Sequence, residues 1–259
     1  MDRQTLAIEP IGGGVVSLRM FVGDEPHIDA AFVVRLARTV AHLGEDATVR
    51  VIVIEGGEQY FSAGASREAL IAKDPQRALL PKLAEIPRLL LSLRVPTIAA
   101  MTGHAIGSGL LVGLWCDIAI LAEESLYGVN AAALGLPPVM GSSAVLEEAL
   151  GAPLARELLL TGHLLTGREI KQSCALLAHG IVPRASVRER ALALAREIAD
   201  LPPEPMATYK EALSVKRRAK FEQAIRAEEA IGAKLFSKTG ILDQVGERYP
   251  VAYAQSRKE

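Results

Sequence analysis

The chain has 259 residues, half of them apolar, with a formal net charge of −1 and 4 % aromatics. That length carries one large domain with a sizeable core. The lack of a basic excess argues against a nucleic-acid partner, and the scarcity of aromatics against base-stacking platforms. Two cysteines, Cys116 and Cys174, lie far apart and fit neither a metal site nor a disulfide framework. Both are expected as small buried side chains in a reducing compartment. The N-terminus MDRQTLAIEP has no apolar signal run, and no stretch of about 18 apolar residues occurs. The expectation is a cytoplasmic globular protein with no membrane span.

In chain order, Thr5–Glu9 and Gly14–Met20 read as strands around the turn Ile11-Gly12-Gly13. Asp29 reads as a helix cap, followed by Val33, Leu36, Val40 and Leu43 at helical spacing. The β-branched run Val49–Ile54, stopped by Gly56-Gly57, reads as a buried parallel strand. Arg77–Leu93 is mostly helical, with Pro81 and Pro87 starting, kinking or interrupting it. Val95–Met101 and Asp117–Leu121 are further strands, with a helix over Gly107–Leu114 between them. Strands alternating with helices imply right-handed crossovers and a largely parallel sheet. From about Gly141 the pattern turns helical: Ser143–Leu150, Leu154–Leu160, Arg168–Leu177, Ser186–Leu201, Pro205–Arg217 and Lys220–Ser237.

Two strands each end in a small-residue turn: Tyr60-Phe61-Ser62-Ala63-Gly64-Ala65, and Gly103-His104-Ala105-Ile106-Gly107-Ser108-Gly109. Small residues let the backbone approach a ligand, and the second turn runs into a helix N-terminus, which favours negative charge. Two such turns on neighbouring strands can aim two N–H donors at one oxygen, as in an oxyanion hole. Taken alone, the pattern also fits ordinary tight turns or a nucleotide loop. Leu110-Leu111-Val112 follow where a full dinucleotide fingerprint would place its third glycine.

The segments VRVIVIEGGEQYFSAGA and VPTIAAMTGHAIGSGLLVGLWCDIAIL, with Gly128–Gly141 and Leu158–Gly162 after them, resemble the crotonase (enoyl-CoA hydratase/isomerase) superfamily over most of the chain. The resemblance implies an α/β crotonase fold, with a ββα-superhelix core over residues 1–200 and a helical C-terminal trimerisation or lid region over 201–259. It also implies a homotrimer or dimer of trimers, and an acyl-thioester substrate on a pantetheine arm with no further cofactor. Carried over by position, the donors to the thioester oxygen are the N–H groups of Ala65 and Ser108. Serine replaces the usual glycine at the second position. Ala63, Gly64 and Gly107 would shape the same site.

Hydratases of this superfamily hold water between two glutamates, and the matching positions here are Leu111 and Ala131. Hydration needs a general acid and a general base on one water, so ordinary hydratase activity is not expected. The closest resemblance is to the decarboxylating members of polyketide β-branching cassettes, which remove the terminal carboxylate of a 3-methylglutaconyl thioester on an acyl carrier protein. A lysine of that subfamily corresponds to Arg67, expected to hold the carboxylate, and a histidine corresponds to Gly232, four residues before Phe236. Protonation of the dienolate then falls to water, Tyr60, Tyr127 or His104. His104 reads first as a hydrogen-bonded structural histidine, with catalysis as its other role, and Asn130 either orients a carboxylate or closes a turn. The stretch Phe21–His27 is acidic where coenzyme A sites usually carry a cation. That favours a carrier-protein arm over free coenzyme A, unless Lys210, Lys234 or Lys238 supplies the charge. The alternatives are an enoyl-thioester isomerase and an acyl-thioester binding protein without chemistry.

Overall fold

The computed structural model describes residues 5–22, 26–72, 79–175, 177–236 and 243–249. Strands Thr5–Gly12 and Val15–Val22 form an antiparallel hairpin. It turns at Gly13 and Gly14, whose φ angles of 61° and 79° suit glycine, so the turn lies just after the expected one. Val51–Glu55, Thr97–Met101, Ile118–Ala122 and Ile181–Val182 then add in parallel to Val15–Val22, giving a six-stranded sheet.

The central strands Val51–Glu55 and Thr97–Met101 are buried on both faces, which explains why they read as unbroken apolar runs rather than alternating ones. Ile52 and Ile54 pack into the main core with Phe32, Val33 and Leu36 of helix Ala30–Glu45. Val51 and Val53 face the other way, onto Val187, Ala191 and Ala195 of helix Val187–Ala199. Asp29 does cap the first helix, its Oδ1 accepting from Phe32 N at 2.6 Å.

Each central strand is followed by a second, short strand and then a helix. Val51–Glu55 leads to Tyr60–Ser62, Thr97–Met101 to His104–Ile106, and Ile118–Ala122 to Leu126–Gly128. With Leu165–Thr166 these short strands make a separate four-stranded sheet, and helices Arg67–Leu70, Ser108–Trp115 and Ala131–Leu134 follow them. This is the strand–strand–helix superhelix the resemblance implies. The short strands escaped the sequence reading because three residues are too few to show a period.

The proline-bearing segment is two helices, Leu80–Leu83 and Glu85–Ser92, with both prolines in first turns, where no N–H is lost; its expected start at Arg77 lies outside the described residues. The helix expected over Arg168–Leu177 is Gly167–Ser173, closed at its start by a capping box between Thr166 and Glu169. The two helices expected over 205–237 are one, Pro203–Phe236. Residues 218 and 219 are Arg and Ala, good helix formers, so nothing breaks the chain there; Ser237 lies outside the described residues. This long helix is tied to the core by a buried ion pair. Lys210 Nζ lies 2.6 Å from Asp117 Oδ1 and donates to Leu90 O, while Thr97 N donates to Asp117 Oδ2.

Candidate active site

The first turn leaves Tyr60–Ser62 through Ala63 and Gly64, and it is pinned from behind. Ser62 Oγ donates to Pro26 O and accepts from Gly64 N at 3.1 Å, and Ala63 N donates to Pro26 O. Gly64 and Ala65 pair in parallel with His27 and Ile28. Gly64 has φ 77°, and a Cβ placed on it would meet Ile106 O at 2.5 Å and Ser108 N at 3.6 Å. Only glycine fits there, and the contact shows that the two turns abut.

The second turn ends at Gly107, with φ 57° and ψ −126°, and opens helix Ser108–Trp115. The helix is buried along its whole length. Gly109 lets it press onto the first turn, since a Cβ there would meet Ser62 O at 2.6 Å. As the first helical residue, Ser108 has no intrahelical acceptor for its N–H. The opposite end is closed by Arg217, which donates to Leu114 O at 2.8 Å, Trp115 O at 3.3 Å and Cys116 O at 3.1 Å, and stacks 5.3 Å over the Trp115 ring. A cation at the C-terminus reinforces a dipole whose positive end lies at Ser108.

Both turns border one cavity. Of the residues expected at the site, it gathers Ala63, Gly64, Ala65, Gly107, Ser108, Leu111, Asn130 and Ala131. Leucines 70, 80, 83, 134 and 136, with Val129 and Val139, make the rest of the wall largely aliphatic. Among the described lining residues none carries a charge; the polar side chains are Ser108, Asn130 and Tyr249.

Four expected site residues are not brought into this lining. Arg67 is exposed, and its Nε donates to Gly246 O at 3.0 Å, in the C-terminal helix over residues 243–249. Tyr127 is fully buried, and its hydroxyl accepts from Ala122 N and donates to Met101 O. Burial pushes that phenol far above its ordinary value, so it is not a proton donor. His104 Nδ1 accepts from Leu126 N at 2.8 Å, and burial, then Arg184, hold its pKa below the ordinary value. It is a neutral structural imidazole, the first of its two sequence readings. Tyr60, 7 % exposed, packs edge-on against that ring at 5.2 Å. Lys210, a candidate cation for a coenzyme phosphate, is instead buried against Asp117. Lys238 and residues 23–25 of the acidic stretch lie outside the described residues.

Two residues of consequence carry no local signal. Tyr249 lines the cavity, and its hydroxyl donates to Ala65 O at 2.9 Å, tying the C-terminal helix to the first turn. Glu228, 4 % exposed, accepts from Gly141 N at 2.8 Å, Ser143 N at 3.4 Å and the Ser142 and Ser143 hydroxyls. Burial raises its pKa, against those hydrogen bonds. Gly232, one turn further on, packs against the lining residue Pro137, where a Cβ would sit 3.5 Å away. The position of the absent histidine therefore adjoins the cavity.

A sequence model of the enoyl-CoA hydratase/isomerase family matches residues 24–257. The chain belongs to that family. The fold is the crotonase fold: the ECH2 decarboxylase domain of CurF from Lyngbya majuscula superposes with a TM-score of 0.81 at 30 % identity, covering 93 % of this chain and 98 % of that one. Among sequence relatives, the bacillaene synthase decarboxylase PksI of Bacillus subtilis is 29 % identical over 216 residues, covering 83 % of this chain and 85 % of the relative. The 2,3-dehydroadipyl-CoA hydratase of Escherichia coli is 29 % identical over 210 residues, covering 81 % of this chain and 80 % of the relative. This crotonase is thus an enzyme of a family whose members include both decarboxylases and hydratases, and overall identity does not separate the two.

Proposed function

We propose that this crotonase decarboxylates a 3-methylglutaconyl-type acyl thioester carried on an acyl carrier protein, in polyketide β-branching. The observation that carries the reading is the cavity wall: the two glycine turns abut beside it, while the positions of both hydratase acids are the lining residues Leu111 and Ala131. No carboxylate among the described lining residues holds a water for addition to a double bond.

In the proposed reaction the thioester oxygen accepts from the N–H groups of Ala65 and Ser108. The bond between the γ-carbon and the terminal carboxyl breaks, CO₂ leaves, and the electron pair passes through the double bond onto the thioester oxygen as a dienolate. The two peptide donors stabilise that charge as it develops. The aliphatic wall raises the energy of the buried carboxylate relative to neutral CO₂, and the Asn130 amide is the group placed to orient it. A proton then returns to carbon, from the Tyr249 phenol or from water. Tyr249 is the titratable side chain of the described lining, and it takes the role first considered for Tyr60, Tyr127 and His104. The decarboxylase relatives support the chemistry. The pairing of Lys210 with Asp117 removes one of the cations considered for a coenzyme A phosphate.

Intact-mass spectrometry of 3-methylglutaconyl acyl carrier protein after incubation with the enzyme tests this, with the coenzyme A thioester run in parallel. Loss of one CO₂ from the carrier-bound chain is expected, faster than from the coenzyme A thioester. Unchanged mass on both would overturn the decarboxylase reading.

A further inference from the structure

The Ser108 side chain has no structural purpose among the described residues. It is 7 % exposed and lines the cavity, yet its Oγ is buried and makes no hydrogen bond among them. A buried hydroxyl without a partner destabilises a fold, and native proteins tolerate few of them. The usual local remedy is a bond back to the carbonyl one turn earlier in a helix. That remedy needs a preceding helical turn, and Ser108 is the first helical residue.

Helical side chains lean toward the helix N-terminus, which here is the cavity end. The Ser108 hydroxyl therefore projects from the same Cα, and toward the same side, as the Ser108 N–H. Glycine at residue 64 keeps the first turn close to that helix start: a Cβ there would stand 3.6 Å from Ser108 N.

Resting on the reading that an acyl thioester binds between the two turns, we propose that the Ser108 hydroxyl is a third donor to the thioester oxygen. Ser108 then offers both its N–H and its O–H to the same developing oxyanion. Where the family resemblance places glycine, this chain adds a donor at the spot where the dienolate charge gathers. The hydroxyl keeps its proton throughout; it shares a hydrogen bond, and no proton transfer to oxygen is involved.

Ser108→Ala and Ser108→Gly keep the peptide N–H and remove only the hydroxyl. The probe is a crotonyl pantetheine thioester labelled with carbon-13 at the carbonyl, which has no carboxylate to lose. Its C=O stretch is read by difference infrared spectroscopy when bound. The wild type is expected to shift the stretch to lower frequency than either variant does. In parallel, kcat for the dicarboxylic thioester should fall about 10²-fold in both variants, with KM changed far less. The unfolding midpoint of ligand-free Ser108→Ala should equal or exceed that of the wild type, because an unpaired hydroxyl has gone. Equal carbonyl shifts in wild type and variants would overturn the inference and leave the proposed function standing. A larger wild-type shift with no CO₂ released would keep the inference and overturn the decarboxylase reading. If the wild type binds no thioester at all, both fall.

Discussion

Two helices of this protein begin in the same way and end up serving different purposes. Ser108–Trp115 and Ser142–Leu150 each follow a glycine with positive φ, Gly107 at 57° and Gly141 at 64°, and neither has a side-chain cap from its own N-cap residue. At the second helix an internal carboxylate fills the gap: Glu228 reaches in from the long C-terminal helix and accepts from Gly141 N and Ser143 N. At the first helix Gly107 N donates to Gly128 O at 2.8 Å, and it is the next residue, Ser108, that borders the aliphatic cavity. A helix start that the fold satisfies is structural; one left facing a cavity is built for an anion from outside. In our reading the thioester enolate is to Ser108 what Glu228 is to Gly141.

The largest effect is expected from closing the open end. Gly64→Ala forces a methyl to within 2.5 Å of Ile106 O at a φ of 77°, so turnover should drop by at least about 10³-fold as a donor is displaced. The mass assay reads this, and circular dichroism separates displacement from unfolding. Activity close to wild type would mean that the gap between the turns is not the reaction site.

The closed end breaks next. Glu228→Ala leaves the buried donors at Gly141 and Ser142 unpaired and should cost about 3 kcal/mol in urea unfolding. A loss below about 1 kcal/mol would remove the contrast between the two helix starts.

Tyr249→Phe sharpens the comparison from the cavity side. It keeps the ring and removes both the phenolic proton and the hydrogen bond to Ala65 O. About a tenfold fall in kcat is expected if that proton serves the reaction, with little change in carbonyl stretch for the bound probe. A large change in the stretch would show that Tyr249 acts by holding the Ala65 segment instead.

The smallest effect is a pH dependence. The folded pKa of Glu228 is raised above its ordinary value of 4.5 by burial. Its contribution to stability is therefore full below that value and is lost as pH rises through the higher folded one. The stability advantage of wild type over Glu228→Gln should shrink as pH is raised from 4.5 toward neutrality in urea titrations. An advantage that grows with pH would mean that the carboxylate is held below its ordinary value.

The legible and illegible parts of the site differ in how far apart in the chain their causes lie. Ala63-Gly64-Ala65 and Gly107-Ser108-Gly109 were readable because a left-handed φ or a close backbone approach selects glycine locally. Leu111 and Ala131 were readable as departures from a family pattern, and both do line the cavity. Arg67 was assigned by residue type, since a guanidinium suits a carboxylate, whereas the partner the fold gives its Nε is Gly246 O, 179 residues later. Tyr249 and Glu228 went unnoticed for the same reason, since each acts on a segment more than eighty residues away.

By itself the sequence determined the parallel sheet, the helix cap at Asp29, the two glycine turns and the loss of the hydratase acids. The first three follow from residue type, from short-range periodicity or from backbone conformations that few residues tolerate, and the last from resemblance to the family pattern. Only the tertiary structure decided that Pro203–Phe236 is one helix, that Lys210 is spent on Asp117, that Arg67 Nε bonds Gly246 O, and that the Ser108 hydroxyl meets no partner among the described residues. The physical reason is common to the last three. A side chain's role depends on which donors and acceptors packing leaves within reach, and those come from distant parts of the chain.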